Sequence, residues 1–256
     1  MTDAPLHRLN QFIQLSPAEA KAFTALAVER RRLRRHEIIR AQGDPTDEVY
    51  MLVEGWVATC IDSEAGDRQI IKVHLPGDML GAPSLTVSSA AETLCALNRV
   101  TVDVIPSARL GRLFLSSRRL AGAMFLNGLQ ERIWLMDRLM SVGRTSAAQR
   151  LAAFLLSLFD RLRSINGTDG VRFQLPLSQG EVANALGITP VHTNRTFAQL
   201  VRTGLISRSG KWITLEDLDG LRELASVPPR EFQHTPAWLS GVRQKMPVVK
   251  ASAQAE

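Results

Sequence analysis

LPLSQGEVANALGITPVHTNRTFAQLVRTGLISRSGKWITL, residues 175–215, has the punctuation of two short helices followed by a hairpin. Ser178 can cap the first helix, and Glu181, three residues on, completes a capping box. Val182, Ala183, Ala185 and Leu186 supply its apolar face. Gly187 ends it in a tight turn, where a residue without Cβ costs least. Thr189 caps a second helix, with Pro190 at the first position, where a missing N–H forfeits nothing. Phe197, Leu200 and Val201 form that helix's buried stripe. His192, Thr193, Asn194, Arg195 and Gln199 fall to its polar face, as hydrogen-bonding groups for base edges. Gly204 ends the helix, and Leu205–Ser207 and Trp212–Leu215 flank Arg208-Ser209-Gly210-Lys211, a hairpin with a basic tip. Helix pairs around a glycine also occur in domains that bind nothing. Cap, glycine turn, Thr-Pro start, polar face and basic wing in this order point to a helix-turn-helix that reads double-stranded DNA.

The chain has 256 residues, enough for one large or two ordinary domains. Its 45% hydrophobic and 22% charged residues are the proportions of a soluble globular protein. No apolar run approaches the roughly 20 residues that span a bilayer. MTDAPLHRLNQF at the N-terminus has no apolar signal core, so the expected location is the cytoplasm, with no membrane partner. Cys60 and Cys95 are too few for a disulfide framework. The net charge of +6 is mildly basic, and its distribution says more. Between Ser178 and Lys211 the cations Arg195, Arg202, Arg208 and Lys211 accompany one anion, Glu181, a local excess of the kind phosphate contacts need. A second basic run, Arg30, Arg31, Arg32, Arg34 and Arg35, reads as a solvated face at the edge of the first domain.

Residues 1–29 read as a helical lead-in, with Ser16-Pro17 starting a helix at Ala18. From Arg34 to about Ile105, short runs rich in Val and Ile alternate with turns at Gly43-Asp44, Gly55, Gly66-Asp67, Gly77-Asp78 and Gly81. The runs Val49–Val53, Val57–Ile61, Gln69–Leu75, Thr93–Leu97 and Thr101–Ile105 suggest a β-roll or barrel. One helix is expected from about Ala108 to Val142. Within it Leu126, Leu129, Ile133, Met136 and Met140 recur at alternating three- and four-residue steps, the a/d spacing of a coiled-coil seam. A homodimer seam suits the reading head, because a two-fold protein sets two recognition helices one DNA turn apart. The alternative is a helix packed on its own domain. Ala147–Leu162 reads as a helix supporting the head, Asn166–Gly170 as a turn, and Glu216–Ala225 as a short helix. The expected fold is α+β: a β-roll sensor of double-stranded jelly-roll type (10–107), a central dimerisation helix (108–143), a winged helix-turn-helix (144–225) and a Pro-rich, partly disordered tail (226–256).

The words GDPTDEVYMLVEGWV (43–57), LPGDMLG (75–81), SAAQRLAAFLLSL (146–158) and LSQGEVANALGITPVHTNRTFAQLVRTGLI (177–206) together resemble the CRP/FNR superfamily of bacterial transcription regulators. The resemblance covers about residues 10–225 and implies a homodimer that senses through its roll, binds a near-palindromic promoter site and meets RNA polymerase. Carried over by position, the base-reading residues are Pro190, Val191, Asn194 and Arg195, with His192 as an additional reader. Arg195 matches the family arginine, whereas the family glutamate four residues before it is Val191 here. Ser178 and Thr189 suit phosphates, as do Arg208 and Lys211 on the wing.

The departures concern the effector. Members that bind cyclic AMP carry a glutamate for the ribose after the PGDxxG word and an arginine for the cyclic phosphate. Here the pocket positions are Gly81, Ala82, Glu92 and Thr93, with Ala82 at the ribose position and Glu92 at that of the phosphate. A carboxylate there repels the ligand, and no arginine lies between Gly81 and Asn98. Regulation independent of cyclic AMP is therefore expected. Oxygen-sensing members hold an iron–sulfur cluster through four cysteines; with two cysteines this chain cannot form such a site alone. Haem is a lesser alternative, with His74 and Cys60 or Cys95 as conceivable ligands. Cys60 and Cys95 could also be a redox pair or simply buried thiols. No cofactor or metal is expected. An effector-free regulator remains open. An enzyme is the remote alternative, since no catalytic His/carboxylate cluster, metal-spaced set or nucleophile elbow stands out.

Overall fold

A computed structural model describes residues 4–64 and 68–226, so the Gly66-Asp67 turn and the Pro-rich tail lie outside the described residues. The chain opens with α1 (Ala4–Asn10) and α2 (Pro17–Thr24). Ser16 forms a full capping box with Glu19, which starts α2 at Pro17, one residue earlier than Ala18. The strands follow: β1 (Glu29–Leu33), β2 (Ile38–Arg40), β3 (Glu48–Glu54), β4 (Val57–Asp62), β5 (Arg68–His74), β6 (Met79–Leu80), β7 (Thr93–Ala96) and β8 (Val100–Pro106). They form two four-stranded antiparallel sheets, ordered β1-β8-β3-β6 and β2-β7-β4-β5. The apolar runs read from the sequence became β3, β4, β5, β7 and β8. The basic run is more than a solvated face: Arg30, Arg31 and Arg32 belong to edge strand β1, where Arg30 grips Asp103 of β8 through bonds of 2.6 and 2.8 Å. A charged edge strand discourages pairing with another chain.

Side-chain alternation along the strands divides the core into layers. Tyr50, Leu52, Val57, Leu94, Val102 and Val104 point between the sheets and fill the roll. Val49, Met51 and Ile105 point out of the first sheet and are covered by Leu9, Phe23, Leu110, Leu113 and Leu120 from the helices. Ala58, Cys60, Ile70 and Val73 point out of the second sheet into a core shared with the C-terminal third. Strands buried on both faces lose the alternating signal, and β3 reads as an apolar run for this reason.

The helix expected over 108–142 is two helices, α3 (Ser107–Ser116) and α4 (Arg118–Arg144). Ser117 separates them in extended conformation. Its N–H donates to the Leu113 carbonyl and closes α3, and its hydroxyl accepts from the Leu120 N–H and opens α4. On α4, Leu126 packs on the roll and Ile133 is half-buried. Phe125, Leu129, Met136, Leu139 and Met140 are exposed, Leu139 at 76%. The remaining elements are α5 (Ala147–Arg163), β9 (Arg172–Gln174), α6 (Gln179–Leu186), α7 (Pro190–Arg202), β10 (Ile206–Ser209), β11 (Trp212–Leu215) and α8 (Leu218–Ala225). Among the described residues no helix is long and apolar enough to cross a membrane.

Candidate nucleic-acid interface

The caps read from the sequence fix both helices of the reading head. The Ser178 hydroxyl accepts from the Glu181 N–H, and the Glu181 carboxylate accepts from the Ser178 N–H at 2.6 Å. Gly187 ends α6 at φ +66°, in the left-handed region that glycine enters without penalty. The Thr189 hydroxyl accepts from the His192 N–H and opens α7. Phe197 and Leu200 are buried against the core of the head. Two assignments on α7 are corrected. Thr193 is buried, with its hydroxyl donating to the Thr189 carbonyl at 3.1 Å, so it cannot reach a base. Val201 is 44% exposed and does not belong to the buried stripe. The inward face instead runs Thr193, Thr196, Phe197 and Leu200, spaced by three, one and three residues as a helix requires.

Ser178, Thr189, Pro190, Val191, His192, Asn194, Arg195, Arg208 and Lys211 are all exposed. Val191, Asn194, Arg195 and Gln199 share the outward face of α7, which carries no carboxylate. Asn194 Oδ1 accepts from Gln179 Nε2 at 3.0 Å, which links the outward surfaces of the two helices. Arg195 has no partner among the described residues. The wing is a three-stranded sheet ordered β10-β11-β9; β9 is a strand that the sequence did not signal. Its tip turns at Gly210, φ +61°, and the Arg208 guanidinium stacks on the Phe197 ring at 4.9 Å, tying wing to helix.

The head is docked on the roll. Val182, Ala185 and Leu186 of α6 share a core with Ile70 and Val73 of β5. Gln69 Nε2 donates to the Asn184 carbonyl, and Arg35 pairs with Glu181 at 2.6 Å. Arg35 thus neutralises the lone anion of the reading segment, a contact between residues distant in sequence that no local pattern announces.

The pocket positions of the roll meet an arginine from another strand. Arg40 of β2 is buried and donates through Nη2 to Glu92 at 2.7 Å and to the Gly81 carbonyl at 3.4 Å, and through Nη1 to the Glu48 carbonyl at 3.1 Å. Ser84 donates to the other Glu92 oxygen at 2.5 Å. A Cβ added at Gly81 would stand 2.8 Å from Arg40, so the guanidinium occupies the space over that glycine. Thr93 donates to Asp62 at 2.8 Å, and Ala82 opens the 3-10 turn Pro83–Thr86. Gly81 and Glu92 are thus brought together through Arg40, whereas Ala82 and Thr93 have other roles. Sequence reading missed Arg40; the available signal was Glu92 itself, because a carboxylate at the mouth of an apolar strand is buried with it and needs a cation.

The conceivable haem ligands are occupied or inert. His74 Nε2 lies 2.7 Å from the Thr59 hydroxyl and Nδ1 lies 3.4 Å from Asp78 Oδ2. Burial and the neighbouring Lys72 lower the His74 pKa, which keeps the ring neutral. Cys60 and Cys95 are free, buried thiols on neighbouring strands β4 and β7, and burial pushes the Cys60 pKa up to about 12. A thiol held protonated is a poor ligand and a poor nucleophile.

Comparisons with known proteins agree with this architecture. A cyclic nucleotide-binding domain family matches residues 30–117, and a Crp-like helix-turn-helix domain family matches residues 149–224. The transcriptional regulatory protein btr of Bordetella pertussis is 32% identical over 213 residues, covering 80% of this chain and 85% of its own. The anaerobic regulatory protein of Haemophilus influenzae is 30% identical over 208 residues, 78% of each chain. The solved structure of FixK2 from Bradyrhizobium japonicum superposes with a TM-score of 0.71 at 26% identity, covering 78% of this chain and 98% of that one.

Proposed function

Since the chain belongs to the CRP/FNR superfamily, and is a DNA-binding transcription regulator rather than an enzyme, we propose that it works in the cytoplasm as a homodimer on near-palindromic promoter sites, without cyclic AMP. The observation that carries the reading is the outward face of α7, which is exposed, polar and free of carboxylates, with a buried opposite face that fixes its direction. Inserted in the major groove, Arg195 donates its two-pronged guanidinium to guanine O6 and N7. Val191 offers a thymine methyl an apolar contact where a carboxylate would favour cytosine, and Asn194, His192 and Pro190 line the same edge. Ser178 and Thr189 accept their cap bonds and keep a hydroxyl proton for phosphate. Arg208 and Lys211 hold the backbone from the wing.

The seam uses Leu126, Leu129, Ile133, Met136 and Met140, and the exposed Phe125 and Leu139 flank it, each one residue before a seam position. Leu139→Asp is expected to give monomers; an unchanged mass in solution would reject this face. The roll pocket holds Arg40 against Glu92, which supports independence from an anionic nucleotide. Contact with RNA polymerase completes the proposal. The test is selection from a random duplex pool by the purified protein, with and without cyclic AMP, beside its solution mass. Selection of one palindrome in both conditions by a dimer is expected; selection only with the nucleotide would overturn the effector reading.

A further inference from the structure

Asp78, in the turn between β5 and β6, is buried, yet four cationic or titratable side chains converge on it. Arg161 of α5 donates through Nη2 to Oδ2 at 2.5 Å and through Nη1 to the Val73 carbonyl at 2.8 Å. From β5, His74 Nδ1 lies 3.4 Å and Lys72 Nζ 3.7 Å from Oδ2, and from α1 the Arg8 Nε lies 3.9 Å from Oδ1. Helix α4 closes the cluster: Glu131 accepts from Lys72 at 2.7 Å and Gln130 accepts from Arg8 at 2.8 Å. The Trp134 ring, also on α4, faces three of these cations at 5.0 Å (Arg161), 5.1 Å (Arg8) and 5.8 Å (Lys72). Burial alone would raise the Asp78 pKa, but Arg161, Lys72 and His74 outweigh it and hold the carboxyl well below the usual range.

Four parts of the molecule meet here: α1 through Arg8, the roll through β5 and its turn, the long helix α4, and α5. Helix α5 is the spine of the reading head, since Leu151, Leu155, Leu158 and Phe159 build one core with α6, α7 and α8. Among these groups Arg161 is the one that comes from the head. We infer that Arg161 is a positioning residue for DNA reading, whose two-point grip on Val73 and Asp78, stacked on Trp134, fixes the angle at which α5 presents the head to the roll and to α4.

A planar guanidinium with two donors on two fixed acceptors has little freedom to rotate. Exclusion from water strengthens both bonds. In a two-fold dimer the angle of α5 sets the distance between the two recognition helices, and that distance must match the spacing of two half-sites. Without the clamp the head keeps its α6 contacts with the roll but loses the tie that sets the tilt of α5, and accepts more than one spacing. The inference rests on the dimer proposed above, so the test reads the two separately.

Affinity is measured for the selected palindrome and for duplexes with the spacer lengthened or shortened by one base pair, together with melting temperature and solution mass. The proteins are the full chain, Arg161→Met and Arg161→Lys. Arg161→Met is expected to lose affinity for the best spacing by about tenfold while off-spacing duplexes bind as before, so that the discrimination ratio collapses. Arg161→Lys keeps the charge but only one of the two grips, and is expected to fall between. A general loss of folded protein would weaken all duplexes equally. Wild-type discrimination in dimeric Arg161→Met overturns the positioning role, and if that variant does not fold, wild-type discrimination in Arg161→Lys does so. A monomeric wild type overturns both this role and the dimer.

Discussion

Arg195 and Arg40 carry the same guanidinium into opposite surroundings. Arg195 stands on the solvent face of α7 with no partner among the described residues. Arg40, with its side chain 3% exposed, is enclosed by Glu92 and two backbone carbonyls. The head leaves its positive charge uncompensated at the surface, where a polyanion can take it up in exchange for counterions. The roll answers its buried charge from within, and Glu92 holds the place where an anionic ligand would have to meet Arg40. One architecture thus uses arginine for recognition in one domain and for internal closure in the other. What separates the two uses is the presence of a carboxylate within hydrogen-bonding reach.

That contrast can be broken most forcefully at Glu92. Glu92→Ala leaves Arg40 buried and unpaired and is expected to cost about 3–5 kcal/mol of stability in urea unfolding. The double change Arg40→Met with Glu92→Leu is expected to recover most of it, because an apolar pair of similar volume needs no neutralisation. A wild-type urea midpoint for Glu92→Ala would mean that the pair does not hold the roll closed. On the head, Arg195→Ala is expected to lose roughly 1–3 kcal/mol of binding and to relax discrimination at one base pair. Equal loss on every sequence would reduce Arg195 to a phosphate contact.

A smaller effect follows from His74. Its folded pKa is lowered by burial and Lys72, while the unfolded ring titrates near about 6.5. As pH falls below that value the unfolded chain binds the proton first, so stability drops until the folded pKa is reached. Thr59, Asp78, Lys72 and Glu131 surround the ring and are unchanged in His74→Gln, which should flatten that slope in melting curves between pH 7 and 5. A slope that persists would assign it to another group. Smallest is Lys211→Ala, expected to weaken all duplexes alike and to reduce the salt slope by about one unit. A base-specific change would move Lys211 from the backbone to the groove.

The reading head was legible because its signals are local. Ser178 with Glu181, Gly187, and Thr189 with Pro190 each act within four residues, and each cap formed as the residue order implied. The Thr193 hydroxyl suits a polar face, but the residue lies four before Phe197, which turns it inward. The break at Ser117 does not show in the apolar spacing, because one serine closes a helix and opens the next without interrupting it. β1 escaped because an arginine-rich edge strand shows no apolar alternation. Arg40 and Glu92 are 52 residues apart, and Arg161 and Asp78 are 83 apart; no periodicity relates them.

By itself the sequence determined the strand runs of the roll, the capped helices of the head and the outward polar face of α7. Backbone hydrogen bonding and side-chain periodicity act over a few residues, and their rules are written in residue order. Only the tertiary structure decided which buried charges answer one another, and which side of α4 is left to solvent. Neutralising a desolvated charge depends on distances of a few ångströms, and those distances exist only after the two sheets have closed and the head has docked on the roll.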